Sequence, residues 1–322
     1  MQPLTVCVLA KPEDGALRLL DAAPEGVRFV VGTSPRDFAA AAPEADVICL
    51  VSGGRALLEP VFLRAARARW VHIGWAGLDG ALFPGLIDSP VPVTNARGVF
   101  SRSLSEFVLA AILFFAKGLR RMLASQAAAR WEPFEVDEIA GRSVGILGFG
   151  DIGRAVAERA KAMGMRVLAM RRDKSASPEG PFVDESFLPE RRLELIARAD
   201  YVVLALPATP ETRGLFGAAE LAAMKEQAVF VNVGRGSTVD QGALVRALEE
   251  RRIRGAALDV FEAEPLPPSH PLWRLDNVLL SPHTADRTAT WREEAMQLFL
   301  DNLRRFQRGE GLRNLVDKRR GY

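Results

Sequence analysis

One joint constrains this chain more than any other feature. The all-apolar run Val144-Gly145-Ile146-Leu147 passes straight into Gly148-Phe149-Gly150-Asp151-Ile152-Gly153, which opens a helical pattern over residues 152–163. The G-x-G-x-x-G spacing alone is weak, because glycines recur in any loop. Between a buried strand and a helix, however, each glycine has a task. The first makes the tight turn, the second lets backbone approach a pyrophosphate, and the third lets helix pack on strand. The helix then offers unpaired N–H groups and the positive end of its dipole to an anion. The joint predicts a dinucleotide site on Gly148, Phe149, Gly150, Asp151, Ile152 and Gly153 rather than a plain glycine-rich turn.

Short apolar runs and helical patterns alternate along the rest of the chain, as βα units around parallel sheets require. Strands are expected near 5–10, 27–31, 46–51, 70–74 and 91–95, with a helix near 57–67. One long Ala- and Leu-rich helical pattern runs from 101 to about 130 and reads as a connector. A second series places strands at 143–147, 166–170, 201–206, 228–233, 256–260 and 278–280, before an amphipathic helix over 288–307. Residues 174–189 are polar, carry Pro and Gly, and read as a loop. At 322 residues the chain is too long for one ordinary core, so two α/β domains are expected.

A net charge of +2 and the lack of any Lys/Arg run interleaved with aromatics argue against nucleic acid as a partner. The longest apolar stretch, 107–116, is too short to span a bilayer, so no membrane association is expected. The first residues lack the layout of a signal peptide. Cys7 and Cys49 sit in apolar strand patterns, which fits a reducing compartment such as the cytoplasm. The three histidines and two cysteines are scattered without ligand spacing, so no metal is expected.

If NAD is held, the second strand of the glycine-loop unit should end in an acid for the ribose hydroxyls. Asp173 lies at about the right distance, but the apolar strand stops at Met170 and is followed by Arg171 and Arg172. Guanidinium groups there suit a 2′-phosphate, with Lys174 assisting, so NADP(H) is expected over NAD(H). Among the histidines, His72 reads as a satisfied core residue and His270 as an exposed loop residue. His283 differs, because it follows Asn277-Val278-Leu279-Leu280-Ser281-Pro282, and open α/β sheets place ligands at such strand ends. A general acid/base working near neutral pH is most often histidine. Two other segments end at the same sheet edge, Val231-Asn232-Val233-Gly234-Arg235-Gly236 and Ala257-Leu258-Asp259-Val260-Phe261-Glu262-Ala263-Glu264-Pro265.

These segments, in this order, together with Trp75-Ala76-Gly77-Leu78-Asp79, Val93-Thr94-Asn95, Leu206-Pro207-Ala208-Thr209-Pro210-Glu211-Thr212 and Ser281-Pro282-His283, resemble the D-isomer-specific 2-hydroxyacid dehydrogenases. The likeness runs from about residue 45 onward. It implies two doubly wound domains. One is a flavodoxin-like substrate domain of 1–99 and 286–322, and the other a Rossmann coenzyme domain of 100–285 through which members dimerise. It implies Arg235, Glu264 and His283 as a catalytic trio, with Asp259 on the nicotinamide carboxamide. Leu206, Pro207, Thr212, Val233 and Gly234 would flank the cofactor. On this reading a small 2-oxo acid is reduced: His283 supplies the proton, Glu264 orients the ring and stabilises the imidazolium, and Arg235 grips the substrate carboxylate and carbonyl. Ser52, Gly53 and Gly54 would meet that carboxylate through backbone N–H groups of the 52–55 loop, beside Trp75. Glu262 rivals Glu264, and only the resemblance decides between them.

Two positions depart from the family pattern. Trp75 stands where many relatives have a smaller residue. Asp286, three after His283, replaces a common Gly, Ser or Trp. Asp286 reads either as a second acid beside the ring or as the N-cap of the last helix. The main alternative function is a non-catalytic dinucleotide sensor of the corepressor type. Formate dehydrogenase is disfavoured because its site uses Gln where Glu264 is acidic. Glyoxylate, hydroxypyruvate or larger pyruvates are all compatible substrates.

Overall fold

The structure is a computed structural model that describes residues 3–172 and 181–322. Asp173 and Lys174 lie outside the described residues. The chain divides into two compact units, one of residues up to Phe100 with Thr288–Tyr322, the other Ser101–Arg287.

In chain order the first unit contributes β1 (Leu4–Leu9), β2 (Val27–Gly32), β3 (Val47–Leu50), α1 (Gly54–Phe62), β4 (Trp70–Ile73), α2 (Pro84–Ile87) and β5 (Val93–Asn95). The second contributes α3 (Ser101–Ala116), α4 (Leu119–Ala127), β6 (Ser143–Leu147), α5 (Asp151–Ala162), β7 (Arg166–Met170), β8 (Glu185–Phe187) and α6 (Arg192–Arg198). It continues with β9 (Tyr201–Leu204), α7 (Ala218–Ala223), β10 (Val229–Asn232), α8 (Gln241–Glu249), β11 (Gly255–Leu258) and β12 (Val278–Leu280). The last helix, α9 (Trp291–Gln307), belongs to the first unit. Both sheets are parallel throughout, as the alternation of apolar runs and helices requires. The first has strand order β2-β1-β3-β4-β5, the flavodoxin-like order; the second has β12-β11-β10-β9-β6-β7-β8. The two-domain α/β expectation is correct.

Three local expectations need correction. The stretch read as a loop over 174–189 includes β8, a short edge strand paired with β7. The long connector helix is two helices, α3 and α4, broken at Gly118. That residue has φ of 61°, and a side chain there would meet the Phe134 ring at 2.8 Å. The last helix starts at Trp291, with Thr290 as its N-cap. Asp286 is therefore not its cap.

In the first unit, Met296, Phe299, Leu300 and Leu303 of α9 recur at helical spacing and bury against Val8, Val47, Cys49 and Trp70. Cys7 faces the opposite core with Leu9 and Ile48, so the two buried thiols are on different sides of the sheet and unpaired. His72 is fully buried on β4. Its Nδ1 pairs with the Thr94 hydroxyl at 2.8 Å, whereas Nε2 has no hydrogen-bond partner, so the ring is only half satisfied. Burial pushes its pKa down to about 3. The unfolded chain, with an ordinary histidine, then binds more protons over the interval from about 6.5 to about 3. Stability contributed by the neutral ring is full above that interval and is lost as pH falls through it. Denaturant unfolding should show the first unit weaker by about 2 kcal/mol at pH 5 than at pH 7.5. His72→Phe should remove most of that difference, and a pH response unchanged in the variant would assign it elsewhere.

Candidate active site

The loops at the carboxyl ends of β6, β9, β10, β11 and β12, successive neighbours in the second sheet, touch edge to edge through glycines and one buried acid. Gly148, with φ of 102°, closes the turn after β6. A Cβ there would sit 2.5 Å from the Ala205 carbonyl oxygen. A Cβ on Gly153 would meet the Gly148 oxygen at 2.2 Å, whereas one on Gly150 would meet nothing within 4 Å. The outer two glycines are thus compressed against backbone, and the middle one faces open space, the vacancy a pyrophosphate needs. Asp151 and Ile152 form the first turn of α5. Phe149 lies under two guanidinium groups, Arg171 at 5.1 Å and Arg154 at 5.7 Å from the ring centroid.

Arg171 and Arg172 are not equivalent. Arg171 is only 7% exposed, its backbone N–H donates to Phe187, and its Nη1 is buried without a hydrogen-bond partner. A buried guanidinium nitrogen with no acceptor fits an anionic ligand oxygen. Arg172 is exposed and its charge helps hold the Glu211 carboxyl below the usual range, after the larger effect of a Thr209 hydroxyl hydrogen bond. The loop after β9 is internally braced. The Thr212 hydroxyl donates to the Pro207 carbonyl at 2.6 Å and accepts from Thr209 N–H at 2.8 Å. Leu206 presses on the next loop, where a Gly234 Cβ would lie 2.6 Å from the Leu206 oxygen. Val233, 3% exposed, donates its N–H to Leu204.

The loop after β10 presents Arg235 between two glycines for a steric reason. Gly234 is pressed on Leu206, and a Cβ on Gly236 would fall 1.9 Å from the Phe261 carbonyl. Asn232 ties the turn by accepting from Gly234 N–H (3.0 Å) and donating to the Arg235 carbonyl (3.2 Å), which also accepts from the Thr238 hydroxyl (2.6 Å). The backbone of Arg235 therefore holds the loop. Its guanidinium donates to the neighbouring Gly234 carbonyl at 2.9 Å.

After β11, Asp259 is buried and its Oδ1 accepts from the Ser281 hydroxyl (2.6 Å) and the N–H groups of Thr284 (3.0 Å) and Ala285 (3.1 Å). Its backbone oxygen accepts from His283 N–H at 2.9 Å. These bonds hold His283 at φ of 51°, a left-handed conformation that a non-glycine residue adopts only under constraint. Sequence reasoning placed Asp259 on a cofactor and missed this bracing role. The His283 ring, about one-third exposed, pairs through Nδ1 with Glu264 Oε2 at 2.7 Å, and Glu264 Oε1 accepts from Phe261 N–H at 2.9 Å. Glu262 is tied through its N–H to Gln241, and the carboxyl that meets the ring is that of Glu264. The Asp286 carboxyl is half-buried, and burial raises its pKa. The charge of His283 opposes that rise and Asp259 adds to it.

In the first unit, taken by itself, the 52–55 turn precedes and opens α1. Ser52 N–H donates to Leu9 and Arg55 N–H to Gly80. Between these two, Gly53 and Gly54 take φ of 88° and 58°. Trp75 is half-buried against the β3–β4 core, and its carbonyl accepts from Ala96 N–H.

Residues 109–285 match the family described as D-isomer specific 2-hydroxyacid dehydrogenase, NAD binding domain. The chain belongs to the D-isomer-specific 2-hydroxyacid dehydrogenase family. It is 41% identical to the glyoxylate reductase of Aeropyrum pernix over 239 residues, covering 70% of this chain and 69% of that protein. Against the D-3-phosphoglycerate dehydrogenase of Methanocaldococcus jannaschii identity is 30% over 94% of this chain, which spans 57% of that longer relative. The NADPH-dependent glyoxylate/hydroxypyruvate reductase of Sinorhizobium meliloti, solved with NADP and sulfate, superposes with a TM-score of 0.85 at 28% identity, covering all of both chains. Two residues linked to the turn that carries Glu264 had no role assigned from sequence. His270, read as an exposed loop residue, is half-buried and its Nε2 meets the Gln241 amide at 2.9 Å. Gln241 carried no motif, and only its place after Asp240 at the start of α8 hinted at a loop contact.

Proposed function

We propose that this chain reduces a small 2-oxo acid to the D-2-hydroxy acid, with NADP(H) preferred over NAD(H). The observation that carries the reading is the 2.7 Å pair between His283 Nδ1 and Glu264, held at the same sheet edge as the glycine loop and Arg235. When bound, the dinucleotide supplies the hydride. His283 delivers a proton from Nε2 to the developing alkoxide, because Nδ1 is committed to Glu264. Glu264 fixes the ring's orientation and stabilises the imidazolium. Arg235 binds carboxylate and carbonyl with its fork of donors, a geometry that lysine copies badly. Gly148, Gly150 and Gly153 cradle the pyrophosphate, and the orphan Nη1 of Arg171 takes the 2′-phosphate. In the first unit, Gly53 and Gly54 are assigned to a carboxylate, and Gly53→Ala should raise KM for the oxo acid.

Initial rates with a panel of 2-oxo acids, each with NADPH and NADH, test this reading. Turnover of monocarboxylic acids such as glyoxylate and hydroxypyruvate is expected, with kcat/KM higher for NADPH. A charge-assisted contact contributes about 1.5–3 kcal/mol, so Arg171→Asp should shift the preference at least about tenfold toward NADH. Equal use of both cofactors by the unmodified enzyme would reject the role of Arg171.

The chain is further proposed to form a homodimer through its second unit, where Leu123 is 62% and Trp131 95% exposed. Sedimentation as a monomer at micromolar concentration would contradict that. Among the described residues no helix is long and apolar enough to cross a membrane. The two buried, unpaired thiols fit the cytoplasm, which fractionation of the native host would check.

A further inference from the structure

The Glu264–His283 pair rests on a turn that is packed at its start and exposed at its end: Val260 and Phe261 are buried, whereas Glu262, Ala263 and Glu264 are exposed. The Gly236 backbone lies directly against Phe261, so the first half of the turn is fixed by packing, whereas the exposed 262–264 stretch is held by hydrogen bonds. Phe261 N–H is spent on Glu264 itself. The exposed stretch is tied to another element by Glu262 N–H donating to Gln241 Oε1 at 3.1 Å. The same Gln241 amide has its Nε2 2.9 Å from His270 Nε2, and His270 precedes the short helical turn Pro271–Arg274. One side-chain amide therefore bridges the first turn of α8 and the loop before β12 to the turn that carries Glu264. We infer that Gln241, oriented by His270, is a positioning residue that sets where Glu264 meets the His283 ring. This deepens the reading of His283 as proton donor and rests on it.

The inference is specific to the turn. Among the described residues no hydrogen bond joins Gln241 to His283 or Glu264, and the charges beside the His283–Asp286 cluster include Glu264, Asp259 and Arg287. Removing Gln241 thus changes no charge near the ring. It loosens the exposed 262–264 stretch, and Glu264 then spends less time on Nδ1. A misplacement of a catalytic group by a fraction of an ångström lowers turnover without touching binding of a remote ligand.

Gln241→Leu keeps the volume and deletes both hydrogen bonds, and Gln241→Glu keeps an acceptor for Glu262 N–H. With only three histidines in the chain, the His283 Nδ1–H resonance can be assigned by its loss in His283→Asn. In ¹H–¹⁵N spectra of the ligand-free protein, Gln241→Leu should move that resonance upfield and broaden it, and Gln241→Glu should restore it. His270→Leu should give a smaller change in the same direction. In turnover, Gln241→Leu should lower kcat for reduction about tenfold, with KM for NADPH unchanged and the high-pH limb of the kcat profile displaced to lower pH. An unshifted His283 resonance in Gln241→Leu would overturn the anchoring. A shifted resonance with unchanged kcat would also overturn the proposal, and would show that the functional reading of the pair, not the anchoring, is what failed.

Discussion

Replacing His283 is expected to lower kcat for 2-oxo acid reduction by a factor on the order of a hundred to ten thousand, with NADPH affinity kept within about twofold. The size follows from the role, since without the ring water must protonate the alkoxide as the hydride arrives. The choice of variant matters. His283 sits at φ of 51°, and alanine tolerates that backbone poorly, whereas asparagine adopts it readily. His283→Asn should therefore keep the 281–285 loop on Asp259, because that loop is held by backbone N–H groups and the Ser281 hydroxyl rather than by the ring. Normal turnover in His283→Asn would reject the assignment. Loss of NADPH binding along with turnover would instead indicate that the loop had come away from Asp259.

Arg235→Ala is expected to lower kcat/KM by roughly a hundredfold, mostly through KM for the oxo acid. Two charge-assisted hydrogen bonds to a carboxylate or polarised carbonyl together supply about 3 kcal/mol of the lost affinity. Fold damage should contribute little, because Asn232 and Thr238 hold the loop through the Arg235 carbonyl, which alanine retains. Arg235→Lys should recover only part of the loss, since a single ammonium cannot span both oxygens of the fork. Substrate saturation curves for the three proteins decide this. An unchanged KM in Arg235→Ala would remove the guanidinium from the substrate.

Much of the fold was legible because parallel strands covered on both faces must be continuous apolar runs. Residues 143–147, 166–170 and 278–280 are strands with the expected bounds. The expectations for 201–206, 228–233 and 256–260 overran, because Leu206, Val233 and Val260 are apolar yet belong to the loops that follow. Those loops are themselves packed, Val233 and Val260 each being 3% exposed. Composition cannot separate a strand end from such a buried loop. The glycine loop was legible as spacing, whereas Gly234 and Gly236 were legible only as part of a family pattern. Their reason, backbone pressing on backbone at Leu206 and Phe261, joins residues 28 and 25 positions apart, counted from 206 to 234 and from 236 to 261. The Gln241–His270 bridge was invisible for the same cause. It spans 29 residues with no period, and a histidine in a proline-rich segment reads as exposed until its partner is seen.

The most direct test is to follow the hydride itself. Hydroxypyruvate would be reduced with NADPH carrying deuterium at the transferable C4 position, and the product examined by NMR and by chiral separation. The expected product is D-glycerate with one deuterium at C2, formed in step with NADPH consumption and lost in His283→Asn. Glycerate of the L configuration, deuterium absent from C2, or NADPH left unconsumed with every 2-oxo acid of the panel would contradict it.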